Sequence, residues 1–155
     1  MVPTTQPHVL IIGAGITGLT IAQGLKTRNI PFTVFETETR NVSRPREWTM
    51  GVHWGLQLLE ELLPQHLTNR LPEASVDASL DYGKYPNNAP RIYDGLSGSC
   101  MMEVIVKNED GTPGREMRVS RRRLRALCAE GIDVQVRRQF FLSQYRKTQL
   151  KQAVV

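Results

Sequence analysis

The sequence predicts an α/β fold, a parallel sheet with helices packed on it, and three observations carry that prediction. A short apolar run over residues 8–12 leads into a glycine turn, Gly13-Ala14-Gly15-Ile16-Thr17-Gly18. A helical pattern over 16–29 follows, with Ile16, Leu19, Ile21, Ala22 and Leu25 spaced to face the sheet. A second apolar run, Phe32-Thr33-Val34-Phe35, then ends at the acidic Glu36, eighteen positions after Gly18. Strand, glycine turn, helix, strand and carboxylate is the order of a Rossmann-like βαβ dinucleotide site.

Each position in that unit has a physical reason. Gly13 permits the tight turn out of the first strand. Gly15 has no side chain, so a pyrophosphate can approach the backbone between Ala14 and the Ile16-Thr17 pair. Gly18 lets the helix pack close to the sheet, and the free N–H groups and dipole at the helix start face the phosphates. Glu36 would accept hydrogen bonds from the adenosine ribose hydroxyls. A carboxylate there also repels a 2′-phosphate, which argues against NADP in this pocket. The contrary reading is an ordinary glycine-rich turn with a solvent-facing glutamate; four agreeing features favour the dinucleotide. FAD and NAD share this fingerprint, so it does not choose between them.

Beyond Glu36 the pattern is less regular. Residues 37–46 read as a polar loop. Residues 52–63 read as an amphipathic helix stopped by Pro64, with Trp54, Leu58 and Leu62 on its core face. Trp48 suits either the core or a wall beside the cofactor. Residues 73–90 are mixed and polar. Strands are predicted over 91–94 and 100–107, joined by Gly95-Leu96-Ser97-Gly98, with a third over 116–119. Ser120 then caps a helix over 121–130, Gly131 ends it, and 132–136 reads as a strong strand. The first two strands and the last can form a three-stranded parallel core.

Composition bounds the possibilities. The 155 residues suffice for one domain with a sizeable core. The N-terminal apolar run is too short for a membrane span or a signal-peptide core, so the expected location is cytoplasmic. Two cysteines, Cys100 and Cys128, give neither metal spacing nor a disulfide framework. His8, His53 and His66 are scattered and read as surface or packing residues, so no metal is expected. Net charge is −3 over residues 1–114 and +8 over 115–155. No zinc pattern, RNP motif or stacking aromatic series accompanies the basic end, which argues against nucleic acid.

At this point the residues resemble a family. The glycine motif with Glu36 is generic. More specific are Arg44-Pro45-Arg46-Glu47-Trp48-Thr49-Met50-Gly51-Val52-His53-Trp54-Gly55, then Leu62-Leu63-Pro64, then Val119-Ser120-Arg121-Arg122-Arg123-Leu124-Arg125-Ala126-Leu127, then Gly131-Ile132-Asp133-Val134. Together, over about residues 8–136, they look like the N-terminal FAD-binding part of a fungal-type class A flavoprotein monooxygenase, with the para-hydroxybenzoate hydroxylase fold. The resemblance implies bound FAD, with NADPH or NADH as reductant, and insertion of one oxygen atom into a small aromatic or polycyclic substrate that the sequence does not name. It implies that Gly13, Gly15 and Gly18 hold the pyrophosphate, that Glu36 holds the ribose, and that Arg46 or Arg44 reaches the ribityl or pyrophosphate region. Arg121 matches the family arginine near the FAD. Arg122, Arg123 and Arg125 read as solvated surface charges. No catalytic residue is assigned.

The chain also departs from the family, whose fold runs to roughly 400 residues and includes later Asp-Gly and Gly-Asp segments that this sequence lacks. The organisation read from the sequence is a domain over 1–136, with a polar, β-rich insertion at about 73–119, and a divergent basic tail over 137–155. That tail reads as translation through an unspliced intron or a shifted frame; a natural short paralogue is the alternative. The chain alone is expected to be an inactive, truncated form. A small NAD- or FAD-binding protein and a regulatory fragment are the other readings. Oligomeric state is not legible.

Overall fold

The computed structural model describes residues 7–37, 48–77, 79, 91–105, 107, 110–112 and 114–136. Strand β1 (Val9–Ile12) runs into helix α1 (Ile16–Thr27) and then strand β2 (Phe32–Glu36). The two strands pair in parallel, from Val9 opposite Phe32 to Ile12 opposite Phe35. Between β2 and the last strand the chain adds β3 (Thr49–Val52), α2 (Gly55–Leu62), α3 (Gln65–Thr68), a 3-10 turn (Leu71–Ala74), β4 (Arg91–Tyr93), β5 (Cys100–Glu103), β6 (Met117–Ser120) and α4 (Arg121–Cys128). Strand β7 (Val134–Val136) then returns to lie parallel on the other edge of β2, with Val34 opposite Val134. The order β1-β2-β7 is the parallel core that the sequence predicts.

Two small antiparallel pairs complete the strands. β3 pairs with β6, Met50 opposite Val119, and β4 pairs with β5. α1 lies at the centre of the packing, against β2, α2 and α4. Its Leu19 and Ala22 are fully buried with Val34 of β2, Leu124 and Cys128 of α4, and Leu67 of α3. Gln23, also buried on α1, donates its amide to the carbonyls of Cys128 (2.9 Å) and Glu130 (2.8 Å). A buried amide with both donors used ties α1 to the end of α4 at little desolvation cost.

Several sequence expectations are corrected here. The predicted helix over 52–63 starts later, because Thr49–Val52 are drawn into pairing with β6. Its buried face is Leu56, Leu59 and Leu63, whereas Trp54 is 77% exposed and Leu58 60% exposed. Trp54 is the residue preceding the first helical turn, so it stands outside the face that packs. Trp48 is exposed as well, and Ile21 of α1 points away from the core. The single turn of α3 was missed, since four residues cannot display a 3.6-residue period. Ser120 does cap α4, its Oγ accepting the Arg123 N–H at 3.2 Å, and Gly131 adopts the positive φ (+69°) expected after a helix. The 137–155 tail lies outside the described residues.

Candidate functional site

The parallel register brings the ends of β1 and β2 together, and that places the glycine turn beside Glu36. The Gly13 N–H donates to the Phe35 carbonyl at 2.7 Å. Gly13 then turns with φ +106°, a region that an L side chain rarely adopts. At Gly18 a Cβ would lie 2.2 Å from the Gly13 carbonyl oxygen, so only glycine lets α1 approach the strand this closely. At Gly15 a Cβ would meet nothing within 4 Å. The turn is therefore tight on its protein side and open on its outer side.

Gly15 is also the N-cap of α1, and no side chain caps that end, nor does an acidic residue sit in its first turn. The first turn of α1 itself supplies no charge to the positive end of the helix dipole, and the Glu36 carboxylate accepts the Ala14 N–H just ahead of it. α2 and α3 likewise begin without a side-chain cap, and among the described α-helices α4 alone is capped, by Ser120.

Glu36 closes the site from the other side. Its Oε2 accepts the Ala14 N–H at 2.9 Å and its Oε1 accepts the Thr37 N–H at 2.8 Å. The carboxylate lines a cleft of about 430 Å³ together with Ala14, Leu19, Arg122, Arg125, Val134 and Val136. The lining mixes apolar side chains with charged groups of both signs, Glu36 and Glu130 against Arg122 and Arg125. An adenosine with a phosphate chain has matching chemistry: a flat apolar base, a diol for a carboxylate, and anions for a helix start.

The structure brings together the turn Gly13-Ala14-Gly15, the first turn of α1 at Ile16, Thr17 and Gly18, and Glu36 at the end of β2. Arg44 and Arg46 lie outside the described residues. Arg121 is the first residue of α4; its backbone N–H donates to the Trp48 carbonyl at 2.9 Å, and its side chain is exposed. Of the neighbouring arginines read as solvated charges, Arg122 and Arg123 are exposed, and Arg125 is the one that is half-buried. Arg123 donates to the Ser75 carbonyl at 2.9 Å, Arg122 lines the cleft, and the Arg125 Nε donates to the Ala14 carbonyl at 2.6 Å. The signal that could have found Arg125 is its spacing, three residues after Arg122, with which it lines the cleft from one helix face; Arg121 is not part of that lining.

The remaining candidates are structural. His53 Nδ1 and Glu116 Oε2 lie 3.1 Å apart, at ion-pair distance though without hydrogen-bond alignment. His8 Nε2 and Thr33 Oγ1 are 2.8 Å apart. Among the described residues no group of three or more His, Cys, Asp or Glu could hold a metal, and no helix is long and apolar enough to cross a membrane. Cys100 is exposed, and Cys128 is buried, which pushes its thiol above the usual range.

Comparison with known proteins follows the same residues. Residues 11–62 match the family model of an NAD(P)-binding Rossmann-like domain. The chain is 45% identical over 132 residues to the FAD-dependent monooxygenase phnB of Penicillium herquei, a match spanning 84% of this chain and 29% of that protein. It is 39% identical over 127 residues to the FAD-dependent monooxygenase dbaB of Emericella nidulans, spanning 81% of this chain and 30% of that protein. Among solved structures, a monooxygenase of Photorhabdus luminescens described as FAD-containing superposes with a TM-score of 0.62 at 25% identity, covering 86% of this chain and 31% of its own. The chain thus spans about three tenths of the length of the relatives it matches. It is related to the fungal FAD-dependent monooxygenases and matches their N-terminal, Rossmann-like portion.

Proposed function

We propose that this chain binds FAD through the adenosine diphosphate half of the cofactor, as the N-terminal portion of an NAD(P)H-using monooxygenase of small aromatic or polycyclic compounds. One observation carries the reading: the Glu36 carboxylate, which accepts the Ala14 N–H beside the uncapped start of α1, lines a cleft together with Ala14. In this reading the backbone of Gly13, Ala14, Gly15, Ile16, Thr17 and Gly18 holds the pyrophosphate. Glu36 accepts from the ribose hydroxyls, and Val134 and Val136 flank the base. Arg121, with Arg44 or Arg46, offsets charge toward the flavin end. The flavin, when bound, supplies the oxygen chemistry; the protein's part is orientation and exclusion of water. The free thiols of Cys100 and Cys128 go with a reducing intracellular compartment.

The test is an absorbance spectrum of the purified chain after incubation with FAD and desalting, repeated with excess NAD as competitor. A retained flavin band that NAD does not displace supports the reading. Displacement by NAD favours the second reading, a small NAD-binding protein, to which the matched Rossmann-like family model also points. A folded chain that retains no flavin contradicts the proposal.

A further inference from the structure

The glycine turn is made of residues with little to hold them. Gly13 and Gly15 flank Ala14, and glycine backbones are permissive on both sides of it. Yet Ala14 is only 1% exposed, and both of its backbone polar groups are held by side chains from distant parts of the chain. Its N–H is accepted by Glu36 Oε2 at 2.9 Å, from 22 residues away. Its carbonyl accepts from Arg125 Nε at 2.6 Å, from 111 residues away. Arg125 Nη2 and Glu36 Oε2 lie 3.9 Å apart, within ion-pair reach. Ala14, Glu36 and Arg125 thus close a ring of one peptide segment, one carboxylate and one guanidinium. α4 can place Arg125 there because Leu124, Leu127 and Cys128 are buried in the core and fix the rotation of the helix.

We infer that Arg125 is a positioning residue of the nucleotide site: by holding the Ala14 carbonyl and lying against the Glu36 carboxylate, it sets the carboxylate for recognition of the ribose hydroxyls. The inference rests on the reading of the cleft as the adenosine end of a dinucleotide site. Guanidinium geometry suits the task, because one planar fork can direct Nε at a carbonyl and Nη2 at a carboxylate together. A lysine has the charge and not the fork. Arg125 is also part of the cleft wall, so its contribution is to the shape in which Glu36 meets a ligand as well as to the turn.

The experiment uses the full 155-residue chain and two probes, ADP and 2′-deoxy-ADP, titrated by calorimetry into wild type, Arg125→Met, Arg125→Lys, Glu36→Gln and the Arg125→Met/Glu36→Gln double variant, with a thermal melt of each. Wild type is expected to prefer ADP about tenfold, the order of one well-made hydrogen bond. Arg125→Met is expected to reduce that preference to near one. Arg125→Lys should lose most of it while keeping the fold, and so serves if Arg125→Met does not fold. The double variant is expected to bind no more weakly than Glu36→Gln alone, since the arginine acts through the carboxylate. A lowered melting temperature with the wild-type preference intact in Arg125→Met or Arg125→Lys would make the arginine a structural strut and overturn the inference, as would additive losses in the double variant. Wild type binding ADP and its deoxy analogue equally would overturn the inference while leaving the nucleotide site standing; wild type binding neither would overturn both.

Discussion

Glu36 has two oxygens with different partners, and the difference has consequences for ligand binding. Oε2 is engaged by the glycine turn and Oε1 by the start of the following loop, while the carboxylate remains part of the cleft. Glu36→Gln keeps the size and removes the charge-assisted acceptor. The expected result is a tenfold to hundredfold weaker FAD affinity in a fluorescence titration, about 1.5–3 kcal/mol for hydrogen bonds to a charged group. Gly18 has a different kind of constraint. A methyl group there would meet the Gly13 carbonyl oxygen, which is backbone and cannot swing aside. Gly18→Ala should therefore destabilise the chain by about 1–3 kcal/mol, read as a lower urea midpoint. The thiols separate by burial: in the native chain Cys100 should react promptly with a disulfide reagent and Cys128 only after unfolding. A rapid native reaction at both would contradict the packing of α4 against α1. At this scale the sequence was most legible where geometry demands one residue type, as at Gly13, Gly18 and Ser120. It was least legible for Arg123 and Arg125, whose partners are backbone carbonyls contributed by distant segments.

α4 connects the core to the cleft. Leu124, Leu127 and Cys128 face inward, Arg122 and Arg125 face the cleft, and Gln23 of α1 holds the carbonyl of Cys128. Ser120→Ala removes the side-chain cap and should lower stability by about 1 kcal/mol in chemical denaturation. Nucleotide binding should weaken by no more than the accompanying loss of folded protein, because Ser120 is outside the cleft lining. β1, α1 and β2 were readable in order because their apolar spacings are clear and glycine and proline mark their limits. The helix over 52–63 was readable as a helix but not in its orientation. Of the expected face, Leu62 does lie over Gly24 of α1, while the buried positions are Leu56, Leu59 and Leu63. Strand β3 is not legible in the sequence, only its Val52 falling in the expected helix, because four residues with one glycine carry little alternation and their strand character comes from pairing with β6.

For the whole molecule, the parallel sheet is small and unevenly covered. Among the described residues β1 pairs only with β2, and Ile12 at its end is 67% exposed. Parallel sheets are ordinarily covered on both faces, so a domain of this build is expected to have modest stability on its own. A ligand that binds only the folded state adds stability by mass action, about 2.7 kcal/mol at a hundredfold excess over Kd. FAD should accordingly raise the melting temperature in proportion to the logarithm of its concentration, and an unchanged melt at saturating FAD would count against binding. The parallel pairing of β1 with β2 and the meeting of the glycine turn with Glu36 were legible in sequence because both are encoded within the first 36 residues. The far wall of the cleft was not, since α4 and β7 reach it only through the tertiary fold. The most direct test of the account is an amide chemical-shift map of the ¹⁵N-labelled chain titrated with FAD. The account predicts the largest shifts at Gly13, Ala14, Gly15, Ile16, Thr37 and Val134. Shifts centred elsewhere, or none in a folded chain at saturating FAD, would contradict it.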